Sequence, residues 1–199
     1  MFFRRKSRSS LRFKTHSEDE VTLIKLTGVI DENTKLKKLR RQVSTNKLVI
    51  DLAEVERINS CGVRDWITLL ADMQRDNIAI VLASCSVAIV RCLNASFNFS
   101  GHAVVVSLYA PYYCSSCDLD VDRHFDRDYI GPPPFEAPIQ RCERCDMVLD
   151  FDDLPEGYFG FLARQPSTYG FEWHRRVTTH IAEEVEDTLV QRNDPTKGW

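Results

Sequence analysis

Two Cys-x-x-Cys pairs, Cys114-Ser115-Ser116-Cys117 and Cys142-Glu143-Arg144-Cys145, stand 24 residues apart and constrain this chain more than any other feature. Each spacing lets two thiolates reach one ion from a tight turn. Four thiolates complete the closed tetrahedral shell of structural zinc, with no open position for an activated water. A zinc site at Cys114, Cys117, Cys142 and Cys145 is therefore expected to staple the fold and not to catalyse. The chain has seven cysteines, an odd number, which suits metal binding in a reducing compartment better than a disulfide framework, so the cytoplasm is expected. A thioredoxin-like role would need one pair to open a helix after a strand, and two similar pairs point away from it. His124 lies between the pairs. A surface position is expected for it, with replacement of one cysteine or a contact behind the ligands as alternatives.

The spacer holds Pro132-Pro133-Pro134 and few residues able to build a core. A metal crosslink would then order residues 111–165 as a zinc-ribbon-like lobe, and metal removal would loosen all of it. Charge bears on what such a lobe touches. Between Asp118 and Glu156 there are twelve acids against Arg123, Arg127, Arg141 and Arg144, a net of -8. That surface repels a phosphate backbone, so it suits a protein partner, or simply solubility, better than nucleic acid.

Before the cysteines, periodicity predicts an α/β fold over residues 10–110. Leu11 to Ile30 reads as a hairpin turning at Ser17-Glu18-Asp19-Glu20, and Lys47 to Leu52 as a central strand buried on both faces. Val63 to Gln74 carries apolar residues at helical spacing, with Ser60 as a candidate cap. Ile78 to Ala83 reads as a strand, Val87 to Leu93 as a helix and Val104 to Leu108 as a last strand. Strands alternating with helices after a hairpin imply a mixed sheet with helices packed on it. Cys85 and Cys92 sit among apolar residues and read as core.

Two patches within this region, Leu26-Thr27-Gly28-Val29-Ile30-Asp31 followed by Thr34, and Ile50-Asp51-Leu52 leading into Ile58-Asn59-Ser60-Cys61-Gly62-Val63, resemble a STAS domain. That is the fold of anti-sigma-factor antagonists and of the cytoplasmic tails of sulfate transporters. The resemblance covers about half the chain and implies binding rather than catalysis: a regulator, a kinase-like protein or a transporter ATPase would be met through Asn59, Ser60, Cys61, Gly62, Val63, Arg64 and Trp66. In the antagonists the second patch reads Asp-Ser-Ser-Gly, and a kinase phosphorylates the serine before the glycine. Here Cys61 holds that position and Asn59 replaces the acid. A thiol cannot enter that cycle, which leaves Ser60 as a hydroxyl at a helix start, for capping or for phosphorylation. Cys61 reads as a small junction residue, with a redox-sensitive thiol as the alternative.

The ends add less. Residues 1–9 form a basic start, and Arg4, Arg5, Lys6, Arg8, Arg12 and Lys14 stand without an acid before residue 15. A solvated segment is expected there, or a contact with an anionic membrane or nucleic acid. In residues 166–199, Trp173, Val177, Ile181, Val185 and Leu189 form one helical stripe. It is expected to pack on the sheet or the zinc lobe, or to meet a partner or a homodimer mate. With 199 residues, 43% hydrophobic and 28% charged, the chain can build one good core and a smaller appended unit. No run approaches about 18 apolar residues, so no membrane span is expected. A P-loop, a dinucleotide fingerprint, a Gly-x-Ser-x-Gly elbow and a His-Glu-x-x-His motif are all missing, and a non-enzymatic bacterial regulator or adaptor is expected. A zinc-containing nucleic-acid regulator and a STAS-like accessory subunit of an ABC transporter are the alternatives.

Overall fold

The hairpin of β1 (Arg12–Glu18) and β2 (Val21–Ile30) forms where apolar alternation begins, turning at Asp19, whose φ of 52° suits an aspartate. The computed structural model describes residues 10–166 and residues 168, 170, 171 and 173. The basic start at residues 1–9 and the helical stripe beyond Trp173 lie outside them. The short helix α1 (Lys37–Arg40) follows, then β3 (Lys47–Ile58), α2 (Ser60–Arg75), β4 (Ala79–Ala83), α3 (Val87–Ala95) and the two-residue β5 (Val104–Val105). The five strands make one mixed sheet in the order β1-β2-β3-β4-β5, antiparallel only at β1/β2.

The expected mixed α/β sheet with packed helices is thus present. Leu48 to Leu52 are buried on both faces, as a central strand flanked by parallel neighbours requires. On one face Ile24, Leu26, Leu48, Ile50 and Leu82 pack against Leu39 of α1, Trp66, Leu69 and Met73 of α2, and Ile89 and Leu93 of α3. Burying each of these side chains contributes roughly 2 kcal/mol before ordering entropy is set against it. Among the described residues no helix is long and apolar enough to cross a membrane.

The last expected strand divides. After β5 the chain turns at Val106 and enters β6 (Ser107–Cys114), which pairs with β7 (Leu119–Asp126) and β8 (Asp150–Phe151) in a second, antiparallel sheet of order β7-β6-β8. That sheet grows from the carboxyl end of β4: Cys85 N–H donates to Ser107 O at 3.0 Å and Tyr109 N–H to Cys85 O at 2.8 Å. The short helices α4 (Arg127–Ile130) and α5 (Pro155–Phe159), and a 3-10 turn at Gly160–Arg164, complete the described chain.

The lobe has more core than its sequence promised. Phe125, Ile130 and Phe135 from the spacer are buried, with Tyr112, Leu149, Tyr158, Phe159 and Phe161, in the same apolar cluster that lines the first sheet. Phe151 meets the rings of Tyr112, Tyr158 and Phe159 at centroid distances of 5.2, 5.6 and 5.5 Å, spacings at which ring pairs attract beyond simple burial. Polar bonds tie this cluster to α3. Asn94 donates to Tyr158 O at 2.8 Å and accepts Phe161 N–H at 3.0 Å, and Tyr158 Oη donates to Tyr109 O at 2.7 Å.

Candidate metal centre and helix-start surface

β6 ends at Cys114 and the chain reverses through Ser115 and Ser116 into β7, so the first cysteine pair caps a β-hairpin. The second pair caps a similar ribbon, where Cys142 N–H donates to Met147 O and Leu149 N–H to Gln140 O, each at 2.9 Å. The residue just past each pair takes the left-handed conformation, Asp118 at φ 50° and Asp146 at φ 58°. Each turn thereby curls its two thiols toward one point. Aspartate tolerates this backbone better than most residues, and its repetition at both pairs is a sequence signal that spacing alone did not supply.

The four sulfurs converge. All Sγ atoms of Cys114, Cys117, Cys142 and Cys145 lie within 4.8 Å of one another. Across the two ribbons, Cys114 Sγ stands 3.6 Å from Cys145 Sγ and Cys142 Sγ 4.0 Å from Cys117 Sγ. A metal bound to four sulfurs at about 2.3 Å sets neighbouring sulfurs about 3.8 Å apart, so this cluster can hold a metal ion. Disulfides would bring sulfurs to about 2 Å, and all seven cysteines are free. Arg123 on β7 clamps the second ribbon from outside, donating to Arg141 O at 2.9 Å and pairing with the Glu143 carboxylate.

Electrostatics at the cluster favours one thiolate over the others. Backbone N–H groups of Arg144 and Cys145 point at Cys142 Sγ and bring its thiol down to about 6. Burial pushes the Cys114 thiol up, and the hydrogen bond with Cys145, then burial, push Cys117 up to about 12. A cation must displace at least the protons of Cys114 and Cys117. Protons therefore compete harder as pH falls, and apparent metal affinity should weaken about a hundredfold or more per pH unit below neutrality. Competition titration with a chromophoric chelator at pH 6, 6.5 and 7 measures this slope; a flat profile would contradict a thiolate site.

His124 does not join the cluster. It stands on β7 beside Tyr109, at 5.1 Å between ring centroids, with Nε2 3.4 Å from Ser84 Oγ. Burial holds its imidazole below the usual range, against the pull of Asp126 and Asp51. Asp51 is a buried carboxylate that the sequence did not single out. It accepts Ala53 N–H at 3.0 Å, and burial pushes it above the usual carboxylate range. Ser84 N–H donates to Ser107 Oγ at 2.7 Å and Cys85 N–H to Ser107 O at 3.0 Å.

The two sequence patches that carry the STAS resemblance meet at the carboxyl ends of β2 and β3, where Ile30 pairs with Ile58 and Asn59 N–H donates to Ile30 O at 3.1 Å. Gly28, at φ 106°, sits between two register shifts that re-aim the end of β2. Asn59, not Ser60, caps α2: its Oδ1 accepts Gly62 N–H at 2.8 Å while its Nδ2 donates to Glu32 at 2.6 Å. An amide can do both; an aspartate would face Glu32 with like charge, which accounts for the neutral residue here. A Cβ on Gly62 would lie 2.5 Å from Ile30 O, so only glycine lets α2 approach this closely.

Of the residues expected to form a partner surface, Ser60 and Arg64 are exposed, Asn59, Cys61 and Val63 are half-buried, and Gly62 and Trp66 are buried. Trp66 Nε1 donates inward to Phe99 O at 3.1 Å. Cys85 and Cys92 both pack on the main core, and burial pushes both thiols up. No protein-family model matches the chain and a comparison with curated proteins finds no match, so the STAS resemblance stands on the residues of its two patches.

Proposed function

We propose that this chain is a non-catalytic, zinc-stapled adaptor that binds a protein partner through the start of α2. The observation that carries the reading is the convergence of four sulfurs within 4.8 Å, a donor set that selects a soft ion and closes its shell. Zinc is the ion of choice for an all-thiolate tetrahedron in a reducing compartment, and the cytoplasm is the compartment that keeps seven thiols free. A closed shell leaves the ion no position for a substrate. The acidic character of the lobe, with Glu143, Asp146, Asp150, Asp152 and Asp153 all exposed, favours a protein over nucleic acid.

The contact surface follows from what α2 leaves outside. Ser60 and Arg64 lie one helical turn apart on the exposed side, next to the loop in which Asp31 accepts Asn33 N–H and Thr34 Oγ1 accepts Asp31 N–H, each at 2.9 Å. Two measurements test the reading separately. Metal analysis of protein purified without added chelator should give one zinc per chain. Affinity purification from native cells should recover a protein whose retention falls at least tenfold with Arg64→Glu and is unchanged with Arg144→Glu on the lobe. Recovery of no protein sensitive to Arg64 removes the partner reading and leaves the metal site intact.

A further inference from the structure

The loop from Ser96 to Ala103, between α3 and β5, is a succession of tight turns. Phe99 N–H donates to Ser96 O at 3.2 Å, Gly101 N–H to Asn98 O at 3.1 Å and Ala103 N–H to Ser100 O at 2.9 Å. Gly101 takes φ 55°, and a Cβ there would lie 2.8 Å from Gln74 Nε2, so glycine lets the loop close down on α2. Trp66 Nε1 holds the loop from below through Phe99 O. Gln165 holds it from the side, donating to Ser100 Oγ at 3.0 Å and accepting Val105 N–H at 3.4 Å. These bonds fix one wall of a cleft of about 370 Å³, whose other walls come from α2, α3 and the 3-10 turn.

The lining divides by chemistry. Ile67, Leu93, Phe97 and Phe161 supply apolar walls, Arg164 and His102 supply nitrogen donors, and no aspartate or glutamate is among the lining residues. Phe97 is 79% exposed, and the Arg164 guanidinium stands 5.8 Å from the centroid of that ring. Among the described residues Arg164 forms no ion pair, and its hydrogen bond runs from Nη2 to Leu93 O at 3.2 Å. A guanidinium steadied by one carbonyl and one ring face keeps its remaining N–H groups for a planar anion. Gln74 also lines the cleft, and its Nε2 is buried without a partner. Rotation about its last side-chain bond, a soft torsion, turns that donor toward the cleft, where a ligand oxygen can accept it.

We propose that this cleft binds a small carboxylic acid with an aromatic or branched apolar body, its carboxylate on Arg164 and its body against Ile67 and Phe97. The volume lies at the low end of ligand cavities, about 300–1,000 Å³, which suits one small molecule. Two parallel N–H···O bonds from a single guanidinium match a carboxylate, and a lining without acids leaves that charge unopposed. An amine would meet Arg164 with like charge. The site is separate from the partner surface at the start of α2. Ile67, Ala71 and Gln74 follow Arg64 along one side of the helix, so the cleft opens farther along α2. Loss of the partner reading would leave it standing.

Titration of the full, isotope-labelled chain with phenylacetate, followed by amide chemical shifts, tests this. Saturable shifts should cluster at residues 97–102 and 160–166, with a Kd in the millimolar range that so small a probe allows. Phenylacetamide, the same body without the charge, should bind at least tenfold more weakly. Arg164→Gln should bring phenylacetate down to the level of the amide, while Arg91→Gln, outside the cleft, should leave both probes unchanged. Equal affinity for phenylacetate and phenylacetamide in the unsubstituted chain overturns the proposal, whether or not the variants fold. So does the absence of saturable shifts at about 20 mM phenylacetate. Tighter binding of a tetrapeptide ending in a free phenylalanine carboxylate than of phenylacetate overturns the small acid in favour of the carboxyl end of another protein.

Discussion

Cys142→Ser protein should purify without stoichiometric metal and lose at least about 3 kcal/mol of unfolding stability, with the loss confined to the two cysteine turns and the ribbon from residue 139 to 149. The expectation rests on position. Cys142 is buried, and its sulfur collects backbone N–H groups from Arg144 and Cys145, so it is the sulfur best prepared to meet a cation. Serine there offers a harder, more weakly binding oxygen and leaves three sulfurs around the ion. Structural zinc contributes on the order of 10 kcal/mol to peptides that are otherwise unfolded. The effect here should be smaller, because Tyr112, Phe125, Phe151, Tyr158 and Phe159 hold the base of the lobe by apolar packing that needs no metal. Sequence alone predicted a lobe that loosens throughout when zinc leaves; with the aromatic cluster packed at its base, loosening confined to the tips is the expected result. Metal content, thermal unfolding and site-resolved amide exchange would together show this, and metal-free protein with unchanged protection at residues 139–149 would refute the staple.

The contrast between the two halves explains what the sequence could and could not convey. β2, β3 and β4 are short apolar runs set between polar turns, and α2 has one continuous apolar stripe, so local periodicity carries them. β3 nonetheless runs to Ile58, six residues beyond the expected Leu52, because pairing with β2 through two register shifts holds Glu54, Glu56 and Arg57 in strand geometry despite their charge. The core of the lobe is invisible locally. Its members lie between residues 112 and 162 without a helical or strand period, and only the growth of β6 from the end of β4 gathers them. β7 did carry a signal: Leu119, Val121 and Phe125 alternate with Asp120, Asp122 and Asp126, a period of two inside a stretch read for its acidity. At the cysteine cluster, spacing identified all four sulfurs now found together. It could not show that His124 faces Tyr109 and Ser84, since a strand sends successive side chains to opposite faces and register decides which face meets the cysteines.

Trp66→Ala should cost about 4 kcal/mol of stability, within the range for emptying a buried aromatic site. Trp66 is 0% exposed, lies parallel-offset to Phe99 at 5.9 Å between centroids, and donates its indole N–H to Phe99 O. Alanine would open a cavity between α2 and the loop before β5 and leave a buried carbonyl without its donor, two penalties that reinforce each other. Trp66→Phe should recover most of the packing and not the hydrogen bond, for a loss of about 1–2 kcal/mol. Urea unfolding measures both. These values also decide how the start of α2 works, because an inward-facing tryptophan can influence a partner only by fixing where the helix sits, whereas Arg64 can touch one directly. Arg64→Glu should thus weaken partner retention at unchanged stability, and Trp66→Phe should change stability with little effect on retention. A Trp66 variant that loses the partner while unfolding at the same urea concentration as the parent would place the indole at the interface, and the inward orientation of α2 would be wrong.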